Sequence, residues 1–445
     1  MSIQLSDHFT YGKLLRFTFP TVVMMMFTSV YEVVDGFFVS NYAGKIAFAA
    51  INFITPALMI LGTVGFIFGA GGSALVAKTL GEGKPDKANS IFSLLVYTAF
   101  AVETVLAGVG FFIMRPVAEM LGAEGRLLDS SLLYARIILI SMPFFALQVM
   151  FHNFFTTAAK PRMGFLVTVI AGVTNMVLDA VLVIGLPYEY KLAGAAVATV
   201  TAQLTGGLIP VFYFARKNDS NLRLGRAEFD TVALRRAFTN GISEFVSSIS
   251  MSLVGMLYNL QLLRYAGENG MASFGVIMYV SWIFGSAFVG YSIGCESLVG
   301  YHFGAQNKPE LRNLLSKSLA LIAISGACMC AFAEIFAPLL AKVFVGYDSG
   351  LMDMTIHGFR IVAVSFVFMG FGMYVSGFFT GLNDGVTSAI ISFVRTMVFE
   401  CGAILLLPRL LGLEGVWASL VTGELMSVTL GFLFLAIKSK KFGYG

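Results

Sequence analysis

Charge is scarce in this chain. Of its 445 residues 12% are Asp, Glu, Lys or Arg, about half the share expected of a soluble domain, so a water-soluble globule is excluded. Only four cysteines occur, Cys295, Cys328, Cys330 and Cys401. All fall inside apolar stretches, a placement that leaves neither a disulfide framework nor a zinc site. Apart from residues 216–236 no polar segment is long enough to fold by itself. The glycines Gly62, Gly65, Gly69, Gly71 and Gly72 lack the Gly-Lys-Ser/Thr ending of a phosphate loop and read as sites of close helix packing or bending. No metal-ligand pair, Ser/His arrangement or pair of catalytic acids with a water site appears, so no enzyme is expected. The first apolar stretch is too long for a signal-peptide core and lacks a small-residue cleavage site.

Apolar length is what the chain has in abundance: hydrophobic residues make up 57% of it. Stretches of about 20 residues or more, enough to cross roughly 30 Å of hydrocarbon, fall at 14–41, 46–77, 88–114, 130–155, 163–187 and 192–215, then at 237–263, 271–303, 313–341, 353–380, 386–408 and 414–437. No period-two pattern marks a membrane barrel, so the spans are helical. The fold class is an all-α integral membrane protein of twelve transmembrane helices.

Lys and Arg sort by side. One side holds Lys13, Arg16, Lys78, Lys84, Lys87, Lys160, Arg162, Lys308, Arg312, Lys317, Lys438, Lys440, Lys441 and the basic 216–236 linker, whereas the other has only Lys45, Arg115, Arg126, Lys191, Arg264, Lys342 and Arg409. The positive-inside rule then makes both termini and the linker cytoplasmic. This bias also accounts for the net charge of +4 without nucleic acid as a partner. A multi-pass monomer in the bacterial cytoplasmic (inner) membrane is expected.

The chain also lies on top of itself when shifted by about 221 to 224 positions. Tyr42-Ala43-Gly44 returns as Tyr265-Ala266-Gly267, Gly71/Leu75/Val76/Gly81 as Gly294/Leu298/Val299/Gly304, Phe154-Phe155-Thr156 as Phe378-Phe379-Thr380, and Asp179 and Pro187 as Glu400 and Pro408. Two pseudo-symmetric six-helix lobes follow, 1–215 and 237–445, tethered by the 216–236 linker, with a working cavity where they face each other.

Charged groups deep in a bilayer each call for a partner or a job. Glu32 and Asp35 share one face of the first span, Asn175 and Asp179 one face of the fifth. At 1.5 Å per residue Asp35 lies about 9 Å below the outer end of its span, Asp179 about 12 Å and Thr199 about 10 Å. Three helices of one half thus set two carboxylates, an amide and a hydroxyl at one level, a set that suits Na⁺ or a proton. The alternative is that each acid accepts hydrogen bonds from neighbouring Ser, Thr or Asn and holds the bundle together. Glu32, Glu244 and Glu400 form a second group of candidate polar cavity residues, although Glu244 lies close enough to the linker to make a salt bridge or cap there. Arg136 and Arg360 are expected to snorkel or to pair with acids such as Asp129 and Asp353. In the second half Tyr258 stands opposite Asp35 and Thr396 replaces Asn175. Glu400 remains one acid of a degraded copy, expected to stay ionised beside Arg395. Met24-Met25-Met26 is a candidate stretch of adaptable cavity wall.

At these residues the chain resembles the multidrug and toxic compound extrusion (MATE) family. The carriers are Val34-Asp35-Gly36 with Tyr42-Ala43-Gly44, the run from Gly71 to Gly83, Asn175-x3-Asp179 and Gly194-Ala195-Ala196-Val197-Ala198-Thr199. The resemblance covers the whole length and implies an antiporter that expels lipophilic, often cationic small molecules in exchange for Na⁺ or H⁺, with no other cofactor. It further implies that Asp35, Asn175, Asp179 and Thr199 form the coupling site. A flippase for lipids or lipid-linked oligosaccharides is the competing reading; it needs a cavity lined with Arg and Lys, where this chain has more deep acids than deep cations.

Overall fold

The computed structural model describes residues 3–346 and 348–444, and among these no strand occurs. The helical segments are α1 Tyr11–Ala43, α2 Lys45–Leu61, α3 Thr63–Gly81, α4 Pro85–Met120, α5 Gly125–Thr157, α6 Pro161–Val183, α7 Tyr188–Ala215, α8 Thr231–Gly267, α9 Asn269–Gly304, α10 Lys308–Val345, α11 Ser349–Ala363, α12 Phe366–Gly381, α13 Gly385–Leu411 and α14 Leu413–Phe442. They make twelve crossings in two lobes, because α2 with α3, and α11 with α12, each share one. The stretches read at 46–77 and 353–380 are thus each a broken span. Gly62 interrupts the first, where a side chain would strike Met142 and Phe145 at 2.9 Å. The second bends by 47° at a tight turn in which Ser365 N donates to Val362 O at 2.8 Å.

The repeated motifs have local reasons. Gly44 and Gly267 close Tyr-Ala-Gly at φ of 92° and 61°, a region that favours glycine, so each reverses the chain between the first two helices of its lobe. Gly81 and Gly304 act as a reciprocal pair. A methyl on Gly81 would collide with the carbonyl of Tyr301, and one on Gly304 with the carbonyl of Lys78. Tyr301 is the repeat counterpart of Lys78, so α3 and α9 cross backbone to backbone on the pseudo-two-fold axis. The glycine run 62–72 works as expected: Gly65 abuts Ala146 and Gly71 abuts Ala237 and Gly241.

These contacts lie toward one face of the bundle, the basic face that carries both termini and the linker. The lobe-to-lobe hydrogen bonds lie there too. Ser73 Oγ meets Glu296 Oε1 at 3.3 Å, and Thr156 and Thr157 each meet Ser297 at 2.9 Å. Among the described residues no side-chain hydrogen bond joins the lobes toward the opposite face, so the bundle is closed on the basic face.

Each lobe also lends the other an arm. The segment before α1 docks on α10: Phe9 N donates to Glu310 Oε1 at 2.8 Å, Asn313 and Lys317 donate to Phe9 O at 2.9 and 2.6 Å, and Leu5 and Phe9 are buried in the C-lobe core. The segment before α8 docks on α4, the counterpart of α10. There Arg223 N donates to Asn89 Oδ1 at 2.7 Å, Gly225 N to Ser93 Oγ at 3.0 Å and Glu228 N to Ser90 Oγ at 3.0 Å, with Leu222 buried in the N-lobe core.

Candidate functional site

Asp35 and Asp179 face each other within hydrogen-bonding reach, carboxyl to carboxyl. α1 brings the first and α6 the second, and both helices widen here. A π turn over Val39–Ala43 follows one turn after Asp35, and Asp179 itself begins a π turn over Asp179–Val183. Such turns rotate side chains off the regular helical register and recur at functional sites. Sequence periodicity carries no sign of them.

The pair is short of partners. Asp35 Oδ1, both oxygens of Asp179 and Asn175 Oδ1 are buried without a hydrogen-bond donor, and no Lys or Arg lies within ion-pair distance of either acid among the described residues. Two carboxyls in contact cannot both be bare anions at tolerable cost. The oxygens therefore suit a shared proton or a hard monovalent cation. Thr199, on α7, completes one side through Tyr134: the tyrosine hydroxyl lies beside Thr199, and its ring end is in the field of both acids. Tyr134 was missed in the sequence, as was Tyr31, which lies beside Gln148 and near Glu32 and Asp35. Tyrosines are too common in apolar spans for their type alone to signal a role. Behind them Ser141 Oγ donates to Gln203 Oε1 at 2.6 Å.

The remaining candidates separate. Glu32 is exposed midway along α1 and adjoins Asp35 electrostatically. An acid there is costly against lipid. Glu244 has no ion-pair partner among the described residues, so the expected salt bridge is absent; it neighbours Glu296 beneath the lobe seam. Met24 is fully buried and forms no cavity wall, while Met25 and Met26 are half-buried. Arg136 lies over the ring of Phe111 at 5.5 Å, and Arg360 pairs with Glu334 at 3.8 Å, so neither Asp129 nor Asp353 is their partner. Glu103 is buried on α4 without a partner.

Glu400 departs from expectation in its surroundings. Arg395 commits both ends of its guanidinium to Glu424, Nη2 to Oε1 at 2.5 Å and Nε to Oε2 at 3.2 Å, which leaves Glu400 at 4.0 Å. Glu424 is visible in the sequence as an acid deep in its span, but its counterpart in the first half is the uncharged Gln203, so the repeat suggests no partner for it. A further swap fills the C-lobe site. Gly358 stands where the first half has Tyr134 and Trp417 where it has Ala196, and the indole lies where a side chain at 358 would begin, its Cε2 2.9 Å away.

The MatE family model matches residues 20–181 and 245–402, one stretch in each lobe. Multidrug export protein MepA of Staphylococcus haemolyticus (strain JCSC1435) is 22% identical over 432 residues, covering 97% of this chain and 94% of that protein, and MepA of Staphylococcus aureus (strain MRSA252) is 23% identical over 418 residues, covering 93% and 91%. Among solved structures, a MATE transporter in complex with MaL6 superimposes with a TM-score of 0.92 at 22% identity, covering 98% of each chain. An outward-facing multidrug resistance MATE family transporter of the MOP superfamily gives 0.91 at 22% identity, covering 100% of this chain and 99% of that one. With both lobes matched, and with the fold shared over nearly its full length, the chain belongs to the MatE family of multidrug and toxic compound extrusion transporters.

Proposed function

We propose that this protein is a secondary active antiporter that exports lipophilic, often cationic compounds in exchange for Na⁺ or H⁺, bound at Asp35, Asn175, Asp179 and Thr199. The observation that carries the reading is the Asp35–Asp179 carboxyl pair, Asp179 buried and Asp35 half-buried, with no basic partner among the described residues. A site of this kind is stable with a proton or cation on it and costly without one, which lets it trade its ion against a solute. The MepA relatives, named as multidrug export proteins, support the efflux direction. The basic face is cytoplasmic by its Lys and Arg excess, in the cytoplasmic membrane of a bacterium, and the unit is a monomer. The flippase reading loses ground, because Arg395 is neutralised by Glu424 and Arg360 faces Glu334, leaving few deep cations to hold a pyrophosphate.

Proteoliposomes loaded with a fluorescent lipophilic cation, given either a Na⁺ gradient or a pH gradient alone, identify the coupling ion. Asp35→Asn and Asp179→Asn keep the volume but cannot carry the exchanged charge, so each is expected to abolish gradient-driven transport in folded protein. Normal transport by both variants would remove the coupling site from this pair.

A further inference from the structure

At one place in the C-lobe two carboxylates share one arginine, and the two hydrogen bonds that the arginine makes to them both go to one. Glu424 takes both ends of Arg395 in a bidentate pair. Glu400, only 8% exposed, is left beyond hydrogen-bond distance from any cation, its nearest being Arg395 Nε at 4.0 Å. The titratable groups whose fields meet here are Glu424 from α14, Arg395 and Cys401 from the same helix as Glu400, and Tyr258 from α8. Tyr258 is only 2% exposed, and its hydroxyl is buried in the field of Glu400 with no hydrogen-bond partner among the described residues. Gly423 is the residue that makes room, since a side chain there would meet Glu400 Cγ at 2.8 Å.

We propose that Glu400 is a proton-binding carboxyl of the C-lobe, separate from the Asp35–Asp179 pair and held out of Arg395's hydrogen bonds by Glu424. The proton comes from water and goes onto a Glu400 carboxylate oxygen, which leaves the cluster with one anion against one cation. A metal ion fits poorly, because a guanidinium stands 4.0 Å away and hard cations want several oxygens. The π turn Val394–Glu400 ends on this residue, and its counterpart in α6 begins on Asp179. Both lobes thus present an acid from a widened helix, but with different neighbours.

Infrared difference spectra of the purified full chain between alkaline and acid pH test this without measuring transport, so they stand apart from the antiport reading. A carbonyl band of a buried carboxylic acid is expected to lose one component in Glu400→Gln and to keep it in the Asp35→Asn/Asp179→Asn double variant. Glu424→Gln is the sharper arm: it frees Arg395 to pair with Glu400, so the Glu400 component should vanish although Glu400 is still present. If Glu400→Gln does not fold, the Glu424→Gln spectrum alone decides. A Glu400 component absent from the wild-type difference, or unchanged in Glu424→Gln, overturns the proposal.

Discussion

Gly241→Ala is expected to unlock the closed face. Gly241 lies in α8 against α3, and a methyl there would sit 2.7 Å from the carbonyl carbon and 2.9 Å from the Cα of Ile67, with the Ile67 oxygen nearer still. All are backbone atoms, so no side chain can swing aside. Relief requires α3 and α8 to part by about 1 Å, and overpacking of this kind costs about 1–3 kcal/mol. The strain exists only in the conformer closed on the basic face, so the closed-to-open ratio should fall about 5- to 150-fold. With Cys295, Cys328, Cys330 and Cys401 replaced, a cysteine at Ser297, which is 1% exposed in the lobe seam, reports opening through its reaction with a membrane-impermeant maleimide added at the basic face. Labelling should accelerate within that range in Gly241→Ala. Gly255→Ala, on the same helix with nothing within 4 Å, should label at the parent rate. Equal rates for Gly241→Ala and the parent, both folded, refute the assignment of this crossing as the closure.

Asn175→Ala, Thr199→Ala and Tyr134→Phe remove neutral donors around the acid pair, so they should raise the ion concentration needed for half-maximal transport more than they lower the maximum; a titration of initial rate against Na⁺ or H⁺ reads this. Moving one charge across 100 mV is worth about 2.3 kcal/mol, so exchange of one monovalent ion for a singly charged drug should ignore a valinomycin-imposed potential, and strong acceleration by an inside-negative potential would show more than one ion entering per drug. Asp384, in the loop before α13, is partly buried, which by itself would raise its pKa, but the Thr387 hydroxyl at 2.8 Å and the Lys438 ammonium at 3.1 Å outweigh this and hold it below the usual carboxylate range. Its stabilisation is therefore present above the unfolded value of about 3.9 and lost as pH falls through the lower folded value. Asp384→Asn should lower the melting temperature slightly near neutral pH, and the gap should close in strong acid.

Much of this was legible in the chain because a bilayer allows few solutions. Hydropathy located all twelve crossings and the repeat paired them, since a span must satisfy its own backbone whatever its side chains. The depth argument brought Asp35 and Asp179 to one level, where the structure puts them in contact. The breaks were less visible: Gly62 is one glycine among many, and Val364-Ser365 carries no Gly or Pro to announce a 47° bend. Pairings between helices distant in sequence were invisible in principle. Arg395 with Glu424 depends on how α13 rolls against α14, and Arg360 with Glu334 on how α11 lies beside α10, neither of which periodicity within one helix determines.

The exchanged arms set an order on synthesis. Phe9 is synthesised before its acceptor Glu310, which is 301 positions downstream. At synthesis rates of about 5–20 residues per second, the arm waits roughly 15–60 s for its socket. Over that interval Leu5 and Phe9 are apolar groups without a home, whereas the second arm finds Asn89, Ser90 and Ser93 already inserted. A chain that stalls before α10 would therefore display this arm unburied, a mark by which an incomplete transporter differs from a finished one at the membrane surface.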